Sequence, residues 1–368
     1  MLSGLKASVQ NELNAFFAHL ANQADLLRCV SAQAFAKARQ KFSHLAFAKL
    51  NERLLSLAGS VWEVPRWHGL RVVAADAAKL RLFLQDATGR QVREAIAFAL
   101  YLPGWECTLC AELYAACVSE RQMLFEHLPR LLPNDLLVLD RGYPARWLLA
   151  VLSQLNRHFC MRVDDLNFAG VRKFRRSGQT EAIVEIPAPE AADAAAYECD
   201  RLATRVRLIR VVTPNARVYV LMTSLLDANT YPSAGFADLY HARWRIEEAF
   251  KRLKHRLALE HVSGLSWLAA SQDFGAKVLC DNLNALAVWE TMQCSDIPAG
   301  YQVNRTYAFA QLKRCLSRWL WHGLPTLDEL LNTLTLLAIH LVRFVKGASK
   351  PRLKRPKPHL HHAYKPTT

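Results

Sequence analysis

The sequence predicts an α/β protein, a sheet with flanking helices entered through a helical N-terminal region. Three observations predict it. Two short apolar runs, Val72-Val73-Ala74-Ala75 and Leu136-Leu137-Val138-Leu139, each lead into an aspartate, Asp76 and Asp140. Around them, stretches with period-two alternation are interspersed with stretches of helical periodicity. The stretch 240–254 contains neither Pro nor Gly and reads as a two-faced helix.

Taken in order, residues 1–62 are helical in pattern. Ser31 and Ser43 are placed to cap helices, and 30–57 reads as two helices joined at a short turn. Lys37, Arg39, Lys41, Lys49 and Arg53 make this region basic. The segment 65–69 marks a boundary. Strands are expected at 72–75, 79–84 and 95–102, with Gly89 in one connection and Pro103-Gly104 ending the third. Residues 110–128 read as a helix carrying Glu112, Glu120 and Glu126. The strand ending at Asp140 is stopped by Arg141-Gly142-Tyr143-Pro144, and a helix at 145–155 and a strand at 158–163 follow.

Between 167 and 234 the character changes to a β-rich insertion. Its strands are expected at 182–186, 205–212 and 218–225, with Pro187, Pro189, Pro214 and Asn215 as turn formers. Arg172, Lys173, Arg175 and Arg176 make its entry basic. The α/β core, begun at 65–166, resumes over 235–345. A long helix at 265–290 is expected to set Asp281 and Asn282 against the sheet, and 325–345 reads as a final packing helix. Beyond Glu329 there is no acidic residue, so 346–368 reads as a flexible basic tail.

Composition narrows the class. A hydrophobic content of 52% supports a folded body, and 47 Lys and Arg against 32 Asp and Glu leave +15. That excess favours polyanionic partners, because neutralising phosphates releases counterions. Nine cysteines, thinly spread, do not suggest a disulfide framework, and Cys107, Cys110 and Cys117 read as reduced thiols more than as a zinc site. No basic segment followed by an apolar core marks a secretory signal. The apolar stretch 330–345 is too short to span a bilayer, so a cytoplasmic protein with no membrane partner is expected. His359, His361 and His362 read as part of a solvated tail.

On a wheel of about 100° per residue, Tyr240, Arg243, Glu247, Lys251 and Lys254 share a sector of roughly 80°. Ile246, Ala249, Phe250, Leu253 and Leu257 form a separate, core-facing stripe. Charged residues at such spacings ordinarily make a solvated face. Here they also spell a pattern: Tyr240, two residues, Arg243, three residues, Glu247, six residues, Lys254. It resembles the signature of the DDE transposases of bacterial cut-and-paste insertion sequences. Asp140-Arg141-Gly142-Tyr143 resembles the second motif of that family, and Asp76 stands where its first carboxylate is expected, although Ala77 and Ala78 follow it where relatives often carry a small or hydroxyl residue and then Ser or Thr. Asp86 and Asp135 are weaker substitutes, since neither ends an apolar run.

The resemblance covers roughly residues 65–290. It implies a ribonuclease H-like mixed sheet interrupted by a β-rich insertion. It implies that Asp76, Asp140 and Glu247 are the catalytic, metal-binding carboxylates for two Mg²⁺ ions, with Mn²⁺ as a substitute. It also implies that Tyr240, Arg243 and Lys254 grip DNA near the reacting end, and that a homodimer holds two element ends. The chemistry suits these residues. Hard divalent cations choose carboxylate oxygens, and two of them about 3.5–4 Å apart serve in-line substitution at phosphorus. Arg141 and Lys251 are further candidates for the phosphate backbone of double-stranded DNA, and Trp244 for stacking on a base. Lys313, Arg314 and Arg318 are weaker phosphate candidates. Residues 1–62 either bind the transposon end or pack as an appendage. The alternatives are a metal-dependent nuclease on the same fold and a catalytically silent DNA-binding relative; three intact carboxylates argue against the latter.

Overall fold

The computed structural model describes residues 8–344, apart from 22, 24, 86, 87, 165–167, 214, 215 and 256. Asp86, the turn formers Pro214 and Asn215, the three tail histidines and the basic tail lie outside the described residues. Helices α1 (Val9–Leu20), α2 (Ala32–Arg39) and α3 (Leu45–Val61) come first. Strands β1 (Arg66–Trp67), β2 (Leu70–Gln85), β3 (Gln91–Leu102) and β4 (Cys107–Ala115) follow. Next come α4 (Glu120–His127), β5 (Asp135–Leu139), α5 (Arg146–Gln154), β6 (His158–Val163) and α6 (Ala169–Ser177). Then come β7 (Glu181–Ile186), α7 (Ala191–Ala196), β8 (Thr204–Val212) and β9 (Val218–Thr223). The last stretch is α8 (Phe236–Ala242), α9 (Trp244–His255), α10 (Trp267–Cys294), β10 (Tyr301–Val303), α11 (Arg305–His322), α12 (Leu327–Ile339) and β11 (Leu341–Arg343). Among the described residues no helix is long and apolar enough to cross a membrane.

The chain divides into two compact units. One comprises Gly59–Lys79 and Ile96–Phe250. The nine-stranded sheet that runs through it has the order β4-β3-β2-β5-β6-β9-β8-β7, with β1 pairing with the start of β2. β2, β5 and β6 are parallel, joined in the registers Val72↔Leu136 and Leu136↔His158. Parallel neighbours need crossovers, which α4 and α5 supply. Three strands, a helix, a strand, a helix and a strand in this order form the expected ribonuclease H-like sheet with flanking helices. Beyond β6, strands β9, β8 and β7 continue the same sheet in antiparallel sense. Because successive side chains alternate faces, Leu136, Val138, Cys160, Ile209, Val211 and Leu221 point to one side. There they enclose Phe236, Leu239 and Tyr240 of α8 in one apolar cluster.

Three expectations about this unit are corrected. β2 does not stop at Asp76 but runs to Gln85, because Ala77 and Ala78 offer no turn chemistry. The helix expected at 110–128 is strand β4 followed by the short α4, capped by Ser119. Pairing with β3 overrides the helical preference of its Ala, Glu and Leu residues. The stretch 240–254 is two helices meeting at Arg243. There Arg243 N–H donates to Tyr240 O (3.2 Å) and Ile246 N–H to Arg243 O (3.1 Å), three-residue reaches that tighten one turn.

The other unit comprises the described residues of Met1–Ala58, Leu80–Ala95 and Lys251–Thr368. Arg39 is buried in it and anchors α2 to α10. It donates to Gln272 Oε1 (2.7 Å), Ala269 O (3.0 Å) and Asp273 Oδ1 (2.9 Å), and bonds Ser263. Lys277, fully buried, donates to Ala258 O (2.8 Å) and His261 O (2.6 Å), and burial pushes its ammonium down to about 8. Asn282 bonds Asn51 of α3 (2.6 Å) and Asp281 pairs with Arg252 (3.4 Å), so both pack against helices where the sheet was expected. The final packing helix ends at Ile339, and β11 then pairs with β10. Lys313 and Arg318 are engaged by Glu12 (3.3 Å) and Glu329 (3.5 Å). None of the nine cysteines is in a disulfide.

Candidate active site

The parallel pairing of β2 with β5 aligns Ala74 with Val138. Two residues on, the same register sets Asp76 beside Asp140, on neighbouring strands about 5 Å apart. Parity fixes their side. Asp76 follows Val72 and Ala74, and Asp140 follows Leu136 and Val138, so both project to the face that receives α8. β5 ends at Leu139, and the turn behind it is built on Asp140. Its Oδ1 accepts from Gly142 N–H (2.7 Å), and its carbonyl accepts from Tyr143 N–H (3.4 Å). A Cβ on Gly142 would lie 3.1 Å from that Oδ1, which is why glycine suits the position.

Glu247 reaches the pair through Arg243. The guanidinium holds Glu247 Oε1 at 2.6 Å and Asp76 Oδ2 at 3.6 Å, and its side chain is 7% exposed. Burial, opposed by Arg243 and the Ala77 N–H and reinforced by the charges of Asp140 and Glu120, pushes Asp76 up to about 7. Burial works against the charge of Arg243, but Tyr240, Glu247 and Asp76 outweigh it and hold the group above its usual range. Arg243 is thus the cation that compensates Asp76 and Glu247.

The other sequence candidates are distributed as follows. Tyr240 is buried in the α8 cluster, its ring 5.8 Å from the Arg243 guanidinium. Trp244 is 51% exposed, with Arg243 5.9 Å from its ring. Arg141 is exposed and lies 3.8 Å from Asp164. Lys251 is exposed and Lys254 half-buried on the part of α9 that belongs to the helical unit. Asp135, a substitute ligand by sequence, is buried and held by Arg71 at 2.6 and 2.7 Å and by Leu132 N–H, so it is structural.

Three residues near the pair escaped the sequence reading. Glu120, in the first turn of α4, has its carboxyl raised by partial burial and by the charge of Asp140. Its position was masked by the misplaced helix boundary. Tyr143 is fully buried, its hydroxyl has no hydrogen-bond partner among the described residues, and after burial the charges of Glu120, Asp76 and Asp140 raise it. Arg162 lies on β6 next to Asp140, since Val138 aligns with Cys160. Only the strand register reveals it.

The donor set is all carboxylate oxygen, which suits a hard divalent cation, and Asp76, raised chiefly by burial, marks a place where a cation would offset the cost of a desolvated charge. Among the described residues no three His, Cys, Asp or Glu side chains are close enough to hold a metal ion as they stand. Asp76 and Asp140 are aligned for the task, while Glu247 is turned onto Arg243. The fit is therefore one of donor chemistry and strand placement.

Comparison with known proteins bears on this centre. The chain is 25% identical over 242 residues to the transposase InsG for insertion sequence element IS4 of Escherichia coli (strain K12), covering 62% of this chain and 54% of that protein. It thus spans about half the length of that curated relative. A cryo-EM structure of the piggyBac transposase synaptic complex with hairpin DNA aligns at 12% identity and a TM-score of 0.44, over 76% of this chain and 59% of that one. The family model described as "Transposase DDE domain" matches residues 67–283, more than half of the chain and every element that carries Asp76, Asp140, Arg243 and Glu247. This chain belongs to the DDE transposase domain family.

Proposed function

We propose that the chain is a transposase that binds terminal inverted repeats, cleaves DNA at the element ends and joins the 3′ ends to target DNA. Asp76, Asp140 and Glu247 are its catalytic carboxylates. The observation that carries the proposal is the β2–β5 register: it sets Asp76 beside Asp140, and Arg243 ties Asp76 to Glu247. Asp76 and Asp140 would hold a pair of Mg²⁺ ions, or Mn²⁺ in their place, with Glu247 joining once Arg243 releases it. Bound there, divalent cations activate an attacking oxygen and stabilise a leaving one during phosphoryl transfer.

The chain's own groups do the rest. Gly142 N–H fixes one oxygen of Asp140 and leaves the other free to bind. Arg243 neutralises two carboxylates that would otherwise repel, and on release its planar fork suits a phosphate. Tyr240 stiffens the turn from which Arg243 extends. Arg141, Trp244, Lys251 and Lys254 are the proposed contacts to double-stranded DNA at the ends and target, with a homodimer pairing two ends. Residues 1–62 are proposed as an end-binding region, 167–234 as an insertion in the catalytic core, and 346–368 as a basic tail.

The test is a labelled duplex carrying one end of the element that encodes this chain, incubated with Mg²⁺. Cleavage with joined product supports the transposase, and cleavage without joining supports a nuclease. Binding without cleavage, unchanged by Glu247→Gln, supports a silent DNA-binding protein.

A further inference from the structure

We infer that Arg162 is a substrate-binding residue of the same centre, one that grips an oxygen of the DNA phosphate beside Asp140. This rests on the reading that Asp76 and Asp140 would hold the divalent cations at which the DNA phosphate reacts. The register carries it. Val138 aligns with Cys160 and Leu139 with Met161, so Asp140 is followed across the ladder by Arg162. Cys160 lies in the cluster under α8, and Arg162, two residues on, projects to that same face. Asp76, Asp140 and Arg162 therefore form a row across three adjacent parallel strands, two carboxylates and then a cation.

The state of the guanidinium distinguishes Arg162 from its neighbours. Arg243 is committed to Asp76 and Glu247, Arg71 to Asp135, Arg207 to Glu181 and Arg141 to Asp164. Arg162 forms no ion pair and no side-chain hydrogen bond among the described residues, and its Nε is buried without an acceptor. A buried donor left unsatisfied is costly, and an anion arriving at the row satisfies it. Its Cζ lies 5.4 Å from the Tyr219 ring, which in turn lies 5.9 Å from the Tyr240 ring. That aromatic floor steadies the planar group while leaving its N–H edge to a ligand. A guanidinium edge matches two oxygens of a phosphate. Arg162 thus supplies a phosphate contact that does not require the Arg243 pair to open.

Two variants test it, Arg162→Gln and Arg162→Lys, against the parent chain on the same labelled end duplex. Melting temperature, the dependence of cleavage rate on DNA concentration with Mg²⁺, and the salt dependence of metal-free DNA binding are read. The expected result for Arg162→Gln is a near-parental melting temperature, a KM for DNA raised about tenfold, and a log–log salt slope shallower by about 0.9, the loss of one phosphate contact. Arg162→Lys keeps the charge and loses the fork, so its slope stays parental while its KM still rises. Parental KM and slope in Arg162→Gln overturn the inference. If that variant melts early, Arg162→Lys decides: a parental KM in a normally folded protein overturns it. A parent that binds but never cleaves sinks the reading of the reacting centre instead, and the salt slopes still decide Arg162.

Discussion

Replacing Asp76 by Asn removes a charge that the fold holds unfavourably, and the consequence can be worked out. The carboxyl titrates near 3.8 in an unfolded chain and at about 7 in the folded one, mainly because it is buried. Between those values the folded state binds the extra proton, so its stability falls as pH rises. Once both states are ionised the accumulated cost is about 4 kcal/mol, at ~1.4 kcal/mol for each tenfold change. Asn mimics the protonated acid and escapes that cost. Without divalent ions, Asp76→Asn should therefore be more stable than the parent by up to about 4 kcal/mol at pH 8 and by under about 1 kcal/mol at pH 4. Denaturant unfolding at the two pH values measures both. A variant no more stable than the parent at pH 8, or equally stabilised at both pH values, would refute the claim that Asp76 is a desolvated acid. The gain in stability should come with loss of end cleavage, as expected where a fold stores unfavourable charge for function.

Arg243→Gln should cost about 3 kcal/mol at pH 8, since it leaves two carboxylates without their cation. The loss should shrink at pH 5, where Asp76 is protonated, and the same unfolding experiment reads it. Gly142→Ala places a Cβ 3.1 Å from Asp140 Oδ1, and the displaced carboxylate should slow end cleavage by about tenfold to a hundredfold, with little change in melting temperature. Arg39→Met should destabilise the helical unit by about 3–5 kcal/mol in denaturant unfolding, because it strands buried Asp273; a near-neutral result would contradict the anchoring role of Arg39.

How much of this was legible in the sequence depended on where the deciding forces lie. The strand before Asp140 could be read because apolar residues run up to Arg141-Gly142-Tyr143-Pro144, a local stop. Strands β7, β8 and β9 were legible for the same reason, bracketed by proline and asparagine. The buried stripe of α9 was legible as periodicity, and Ile246, Ala249, Phe250, Leu253 and Leu257 are all buried. β4 was not, because Cys110-Ala111-Glu112-Leu113 suits either state until β3 provides a ladder. Tyr240 and Arg243 fell on the polar side of the wheel, yet both are buried. Arg243 reaches Asp76 of β2, and Tyr240 packs in a cluster drawn from β5, β6, β8 and β9; no local pattern reports either. Arg162 is illegible for the same reason, since only the alignment of β6 with β5 gives it a neighbour. The family signature supplied the three carboxylates; the strand register supplied the proximity of Asp76 and Asp140.

The proposed function requires that Asp76, Asp140 and Glu247 act as a single cation-binding group. Titration of Mn²⁺ into the parent protein bound to an end duplex, followed by electron paramagnetic resonance, tests it most directly. Asp76→Asn, Asp140→Asn and Glu247→Gln should each weaken Mn²⁺ binding at least tenfold, while Asp164→Asn, outside the group, should leave it unchanged. Parental Mn²⁺ affinity in any one of the first three would contradict the claim.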